Sequence, residues 1–147
     1  MLAVDTTLAT AGDRIKIYVN GEQITSFATS DNPNQNQTWE FNSASVHEIG
    51  RNASSSYDGQ MAHVNFVDGS QLTPTSFGET DATTGIWKPK TSPSVSYCTN
   101  GFFLEFDNSA NMGLDTSGQS NNFTTNGTII QTKDTPSNIF AANNNLW

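Results

Sequence analysis

A short alternating segment followed by Asn-Gly constrains the fold of this chain more than any other feature. Ile15, Ile17 and Val19 alternate with polar or aromatic residues. Asn20 and Gly21 follow directly. Successive side chains of a strand point to opposite faces, so the three apolar residues share one face. Asn-Gly supplies the two positive-φ positions of a type I′ turn. The sequence therefore predicts a β-hairpin that turns at Asn20-Gly21.

Other segments also read as strands, loops or turns, and none has helical periodicity. Ala62, Val64 and Phe66 lie in phase between turns at 57–59 and 69–70. The pattern predicts further strands near 38–42 and 45–50, whereas 85–90 is expected to be a loop anchored by its tryptophan. Phe102, Leu104 and Phe106 are again in phase. We therefore predict an all-β chain.

Length and charge limit the class of protein. The 147 residues suit one ordinary domain. With 14 acidic and 6 basic residues the net charge is -8, which argues against nucleic-acid and anionic-membrane partners. The many uncharged polar residues are typical of extracellular and virion β-proteins. The single cysteine, Cys98, cannot form an internal disulfide. No segment resembles a membrane span or signal peptide, so we expect no export by the general secretory route.

Several runs of residues resemble a known family. Three segments are similar to the C-terminal half of a concanavalin A-like, laminin-G-like domain: the Asn20-Gly21 hairpin, 46–51 and 57–72. Four further segments are similar to the form of that domain found in bacteriophage virion appendages: 77–79, 85–90, 99–106 and 114–118. The likeness covers roughly residues 5–138. It implies an antiparallel β-sandwich of the jelly-roll type.

The resemblance also implies an unusual arrangement. A full domain of this family has several strands before the segment that starts here at Asp5. We therefore expect the sandwich to be incomplete or rewired, or to be completed by neighbouring chains. Residues 101–107 resemble the opening strand of such a domain, and residues 60–67 resemble the closing strand. Because the first and last strands of these sandwiches are neighbours in a sheet, the resemblance predicts that the two segments pair. We expect the sandwich to occupy residues 1–107.

Residues 108–147 form a polar segment with few apolar residues. We predict that this segment is an extended tail whose structure depends on a partner. Phe140 and Trp147 are the candidate docking anchors of the tail.

No catalytic group is predicted. The related glucanases use carboxylates two residues apart on one strand, and Glu105 and Asp107 have that spacing. Ser109 occupies the next position in phase, which breaks the pattern. His47 and His63 are expected to be surface histidines.

Two kinds of binding site remain candidates. Calcium is the one cofactor that the resemblance allows, with Asp58, Asp115 and Asn121 as candidate ligands, although a structural turn is favoured because calcium needs more oxygens. Aromatic side chains can stack on sugar rings. The glycan-binding candidates are Trp39, Tyr57, Trp87 and Tyr97.

The resemblance leads to one expected function and one alternative. We expect a non-enzymatic surface protein of a tailed bacteriophage, either a capsid decoration or a tail appendage. Its partners would be other virion proteins, in addition to copies of itself if it forms an oligomer. The alternative is a carbohydrate-binding adhesion module that recognises glycans of the host cell surface. A glucanase is a distant third.

Overall fold

The computed structural model describes residues 1–52 and 54–132. Within them the chain is all-β, with two short 3-10 helices at Ala11–Asp13 and Pro74–Ser76. In this part of the chain no helix is long and apolar enough to cross a membrane. The predicted anchors Phe140 and Trp147 lie outside the described residues. The strands are β1 (Leu2–Val4), β2 (Ile15–Val19), β3 (Glu22–Ile24), β4 (Arg51–Asn52), β5 (Ser55–Ser56), β6 (Val64–Phe66), β7 (Gly78–Thr80), β8 (Trp87–Pro89) and β9 (Phe102–Leu104).

These strands form one three-stranded and three two-stranded antiparallel sheets. Their orders are β1-β2-β3, β4-β5, β6-β9 and β7-β8. The predicted hairpin is confirmed, because Val19 pairs with Glu22 across a two-residue turn. Asn20 has φ 51° and Gly21 has φ 85°, as a type I′ turn requires.

The three-stranded sheet has its apolar face outward. Leu2 pairs with Ile17, and Ile17 pairs with Ile24, so the three side chains form a row across one face. They are 54%, 38% and 37% exposed. Ala3 points to the opposite face and is buried, and Tyr18 on that face lines a cleft. The alternation predicted from sequence is present, but the apolar side is the exposed one.

The main core surrounds the β6-β9 pair. The predicted pairing is confirmed, since Val64 lies opposite Leu104 and Phe66 lies opposite Phe102. The Phe66 and Phe102 rings stack with centroids 5.5 Å apart. Leu104 is 1% exposed and is the most completely buried large side chain of the described residues. Burying a side chain of this size contributes about 1.5–3 kcal/mol.

Both strands of this pair are shorter than predicted. His63 has φ 52° immediately before β6, and Phe106 has φ 59° two residues after the end of β9. Positive φ is outside the extended region, so these residues interrupt the regular alternation. Ala62 and Phe106 therefore lie outside the paired strands.

The segment after Asp107 is irregular, and its first part packs on the core. Asp115 forms an isolated antiparallel bridge with Leu104. The Phe123 ring meets Phe102 edge-on at 4.8 Å, and Met112 is buried. Residues 108–123 therefore belong to the packed unit, although they were predicted to lie in the tail.

Three assignments from sequence are wrong. Residues 38–42 and 45–50 are irregular, with turns and bends instead of strands. At 38–42 the reason is local, because Ser43 N donates to Glu40 O at 3.1 Å and Asn42 has φ 62°. The stretch 85–90, predicted as a loop, contains strand β8. Pro89 lowers the strand signal there, but β8 is an edge strand, where a proline is tolerated.

A buried arginine fixes the surface loop that precedes these turns. Arg14 is 8% exposed, and its guanidinium donates to three carbonyl oxygens, each at 2.8 Å. Nε donates to Leu8, one terminal nitrogen to Pro33 and the other to Ala9. The arginine therefore ties two segments of chain to the start of the hairpin.

Candidate ligand cleft

A cleft of about 150 Å³ opens where the hairpin, β6 and β8 meet. Tyr18 comes from β2 and Asn65 from β6, while Trp87 and Pro89 are alternate residues of β8. The 3-10 helix Pro74–Ser76 and the following residue, Phe77, close the remaining side of the cleft. The lining residues are Met1, Tyr18, Asn20, Gly21, His63, Asn65, Pro74, Phe77, Trp87 and Pro89.

The Trp87 indole is held in place by two glycines. A Cβ atom on Gly21 would lie 2.5 Å from Trp87 Cε3, and one on Gly78 would overlap Trp87 Cζ2. Any larger residue at either position would have to displace the ring. Gly21 is thus required twice, by its positive φ and by the close approach of the indole.

Several polar groups of the cleft have no partner within the described chain. His63 Nδ1 is enclosed and makes no hydrogen bond, the one buried side-chain nitrogen or oxygen of this kind in residues 1–52 and 54–132. No described residue bonds the Tyr18 hydroxyl or the Trp87 indole N–H either. Leaving an enclosed polar group unpaired costs about 1–3 kcal/mol.

Asn65 is the contrasting case, because its amide is engaged. Its Nδ2 donates to His63 O at 3.0 Å, and its Oδ1 accepts the Tyr97 hydroxyl at 2.5 Å. These bonds hold the chain at His63 while the His63 ring lies over Phe103, with centroids 5.7 Å apart. The imidazole is therefore positioned by its surroundings and keeps an unused nitrogen.

Charged side chains are kept away from the cleft. None of its lining residues is an Asp, Glu, Lys or Arg. Lys88 lies between Trp87 and Pro89 on the opposite face of β8, where its Nζ is 3.0 Å from Asp81 and 3.6 Å from Glu79. Hydrogen bonds from Thr84 and Lys88 hold the pKa of Asp81 below its usual value, and Asp81 raises the pKa of Lys88.

Of the four predicted glycan-binding aromatics, the structure brings Trp87 to the cleft. Tyr97 is in the core, where it stacks on Phe103 at 6.2 Å. Burial, together with the charges of Glu105 and Asp115, raises its pKa to about 12. Neither remaining aromatic lines the cleft: Trp39 packs on Phe41, and Tyr57 is exposed with its hydroxyl donating to Gln60 O.

The predicted calcium ligands Asp115 and Asn121 do meet, in a turn that uses their polar atoms internally. Asp115 Oδ1 accepts from Phe103 N and Ser117 N, each at 2.9 Å, and Oδ2 accepts from Asn121 N at 2.8 Å. The Asn121 amide donates to the carbonyls of Thr99 and Gly101.

The electrostatics of that turn follow from these bonds. Burial alone would raise the pKa of Asp115, but hydrogen bonds from Phe103, Ser117 and Asn121 outweigh it and lower the pKa. Asp58, the third candidate, is exposed. The described residues contain no group of three or more His, Cys, Asp or Glu that could hold a metal ion.

The carboxylates considered for catalysis do not share a strand face. β9 ends at Leu104, before Glu105, and the positive φ of Phe106 separates Glu105 from Asp107. Sequence reasoning missed the roles of Tyr18 and Phe77 in the cleft. No sequence signal identified Tyr18, because the Asn20-Gly21 turn fixes the register of the hairpin and not the face that meets the rest of the chain.

Comparison of the chain with protein-family models, with curated proteins and with solved structures finds no match. The resemblance to laminin-G-like domains therefore stays a prediction.

Proposed function

We propose that this protein is a non-enzymatic surface protein of a tailed-bacteriophage particle, where it displays a laminin-G-like β-sandwich on the capsid or tail. The proposal rests on the family resemblance and on one structural observation, the outward apolar face of the β1-β2-β3 sheet. Leu2, Ile17 and Ile24 form a row on this face, which we call the outer face.

The outer face has the character of a surface that another protein covers. Val19 is 54% exposed on the same face, so the apolar row continues toward the hairpin turn. A contiguous apolar patch on a soluble domain marks a contact site more often than an isolated apolar residue does. Within residues 1–52 and 54–132, no strand pairs with this sheet beyond its three members.

A sandwich needs two sheets with their apolar faces together. In the proposed assembly a neighbouring particle protein supplies the second apolar sheet face against Leu2, Ile17 and Ile24. The net charge of -8 argues against DNA as the partner of this chain.

Particle binding tests the proposal. Particles assembled without this protein would be mixed with the full chain, and the bound protein would be counted by mass spectrometry. We expect saturable binding, at hundreds of copies for a decoration protein or a few for a tail appendage.

The double variant Ile17→Thr, Ile24→Thr should bind at least tenfold more weakly, because it removes the centre of the row while keeping β-branched residues in the strands. Val46→Thr is the matched control, since Val46 is 91% exposed outside any strand. Absence of the chain from particles, or equal binding by the double variant and the control, would refute the proposal.

A further inference from the structure

His63 departs from ordinary geometry in two ways, and both occur in the wall of the cleft. Its φ is 52°, which few residues with a β-carbon adopt. Its Nδ1 is enclosed and has no hydrogen-bond partner in the part of the chain that the structure describes. Strained backbone is typical of sites that bind a ligand. We propose that the cleft binds one phenol ring, whose hydroxyl bonds to His63 Nδ1. The inference goes beyond the proposed function and does not depend on it.

Size limits the ligand to one six-membered ring. An apolar cavity of about 150 Å³ admits a benzene molecule. The cleft has a volume of about 150 Å³ and is open on one side. One ring therefore fits, and a substituent on the carbon opposite the hydroxyl can extend into water.

The walls of the cleft favour a flat ring. Trp87 and Phe77 contribute aromatic rings, and Pro74 adds apolar surface beside them. Aromatic rings pack on one another in offset or edge-to-face arrangements. The indole is fixed by contact with Gly21 and Gly78, so it loses little freedom when a second ring packs on it.

The hydrogen-bonding groups of the cleft favour a single hydroxyl on that ring. The Tyr18 hydroxyl and the Trp87 indole N–H are within reach of water, whereas His63 Nδ1 is enclosed. The Asn65 amide is already engaged. A hydroxyl can donate and accept, so it suits either tautomer of His63. An apolar ring would leave Nδ1 unpaired, and a ring with many hydroxyls would bury groups that find no partner.

An aromatic carboxylate is the competing ligand, because Met1 lines the cleft and carries an ammonium group. That ammonium donates to Tyr18 O at 2.7 Å. A carboxylate offers only acceptors, so it bonds to His63 only when Nδ1 carries a proton. It must also approach a chain with a net charge of -8. A neutral hydroxyl avoids both restrictions.

Ligand-detected NMR on the full chain tests the proposal. The probes are 4-methylphenol, toluene, 4-methylbenzoate and a methyl glucoside, each with one six-membered ring. We expect 4-methylphenol to bind in the millimolar range, as suits a ligand of so few atoms. It should bind about three- to tenfold more tightly than toluene, which is the effect of one hydrogen bond.

Two amino-acid derivatives distinguish the sources of a phenol ring. N-acetyl-tyrosinamide carries the ring as a protein would present it, and N-acetyl-phenylalaninamide lacks the hydroxyl. If the tyrosine derivative binds at least as tightly as 4-methylphenol and more tightly than the phenylalanine derivative, the ligand is a tyrosine side chain of a partner protein. Weaker binding of the tyrosine derivative than of 4-methylphenol indicates a free phenolic molecule.

Variants test the assigned contacts. His63→Phe keeps a flat ring beside Phe103 and removes the nitrogen. It should abolish the preference for 4-methylphenol over toluene without lowering the melting temperature, because Nδ1 makes no hydrogen bond in the fold. Trp87→Phe should weaken both ligands by a similar factor. His47→Phe is the matched control, since His47 is exposed and does not line the cleft, and it should leave both affinities unchanged.

Four results would overturn the inference. They are no binding of 4-methylphenol up to its solubility limit, equal or tighter binding of any of the other three probes, an unchanged preference for 4-methylphenol in folded His63→Phe, and binding by Trp87→Phe like that of the unmodified chain.

Discussion

Replacing Asp115 by alanine should cause one of the largest losses of stability in this chain. The substitution leaves three backbone N–H groups without their acceptor, those of Phe103, Ser117 and Asn121. The Phe103 N–H belongs to a residue that is 5% exposed, so it loses its partner in a buried setting at a cost of about 1–3 kcal/mol. The other two lie in a partly exposed turn that water can reach, and together they add about 1 kcal/mol.

The expected total is therefore about 2–4 kcal/mol, a large share of the ~5–15 kcal/mol that stabilises a typical domain. Urea unfolding followed by circular dichroism measures it. With a slope of about 1–3 kcal/mol per molar, the midpoint should fall by roughly 1–2 M. Asp107→Ala is the matched control because it removes the same charge from an exposed side chain. Equal midpoints for the two variants would refute the structural role assigned to Asp115.

The same carboxylate should make stability depend on pH. Its pKa is lowered in the folded state, so its stabilising effect is present above the unfolded value of about 3.9 and is lost as the pH falls through the folded value. The difference in unfolding free energy between the unmodified chain and Asp115→Asn should be constant from about pH 5 to 8 and shrink below about pH 4. A difference that grows on acidification would contradict the assignment.

Three further predictions concern the turn, calcium and the end of the chain. Gly69→Ala should lower the stability by about 1–2 kcal/mol, the cost of positive φ alone, because the space around Gly69 is open. Gly21→Ala also overlaps Trp87, so its loss of stability in thermal unfolding should be clearly larger. Equal losses for the two variants would contradict this prediction. Millimolar calcium should leave the melting temperature unchanged because Asp115 already accepts three backbone bonds, whereas a rise of several degrees that a chelator reverses would show a calcium site. Truncation after Thr132 should leave a cooperatively unfolding chain that binds the particle more weakly, and loss of the cooperative transition would show that the removed residues are needed for folding.

The parts of the fold that could be predicted are those that local chemistry specifies. The Asn20-Gly21 turn sets the register of its hairpin without help from the rest of the chain. The β6-β9 pair followed from alternation and from the family resemblance. Strand β1 was missed because Leu2–Val4 has only three residues, too few to show alternation.

The orientation of the sheet and the composition of the cleft could not be predicted, because both depend on contacts between distant segments. Alternation shows that Ile17 and Tyr18 lie on opposite faces, but not which face meets the rest of the chain. The meeting of Tyr18 with His63 and Trp87 depends on three separate sheets. Trp87 was identified as a candidate from its residue type, and its partners became visible only in the fold.

The three hydrogen bonds of the Arg14 guanidinium affect which substitutions the chain tolerates. Its guanidinium contacts only main-chain oxygens, those of Leu8, Ala9 and Pro33, and every residue type carries such an oxygen. The side chains of the tethered segments can therefore vary without loosening the loop, provided that the backbone keeps its course. Arg14 itself has no such freedom, since no other side chain offers a planar fork of donors. A library randomised at the exposed position 9 should thus yield many folded members, and one randomised at position 14 should yield arginine almost alone.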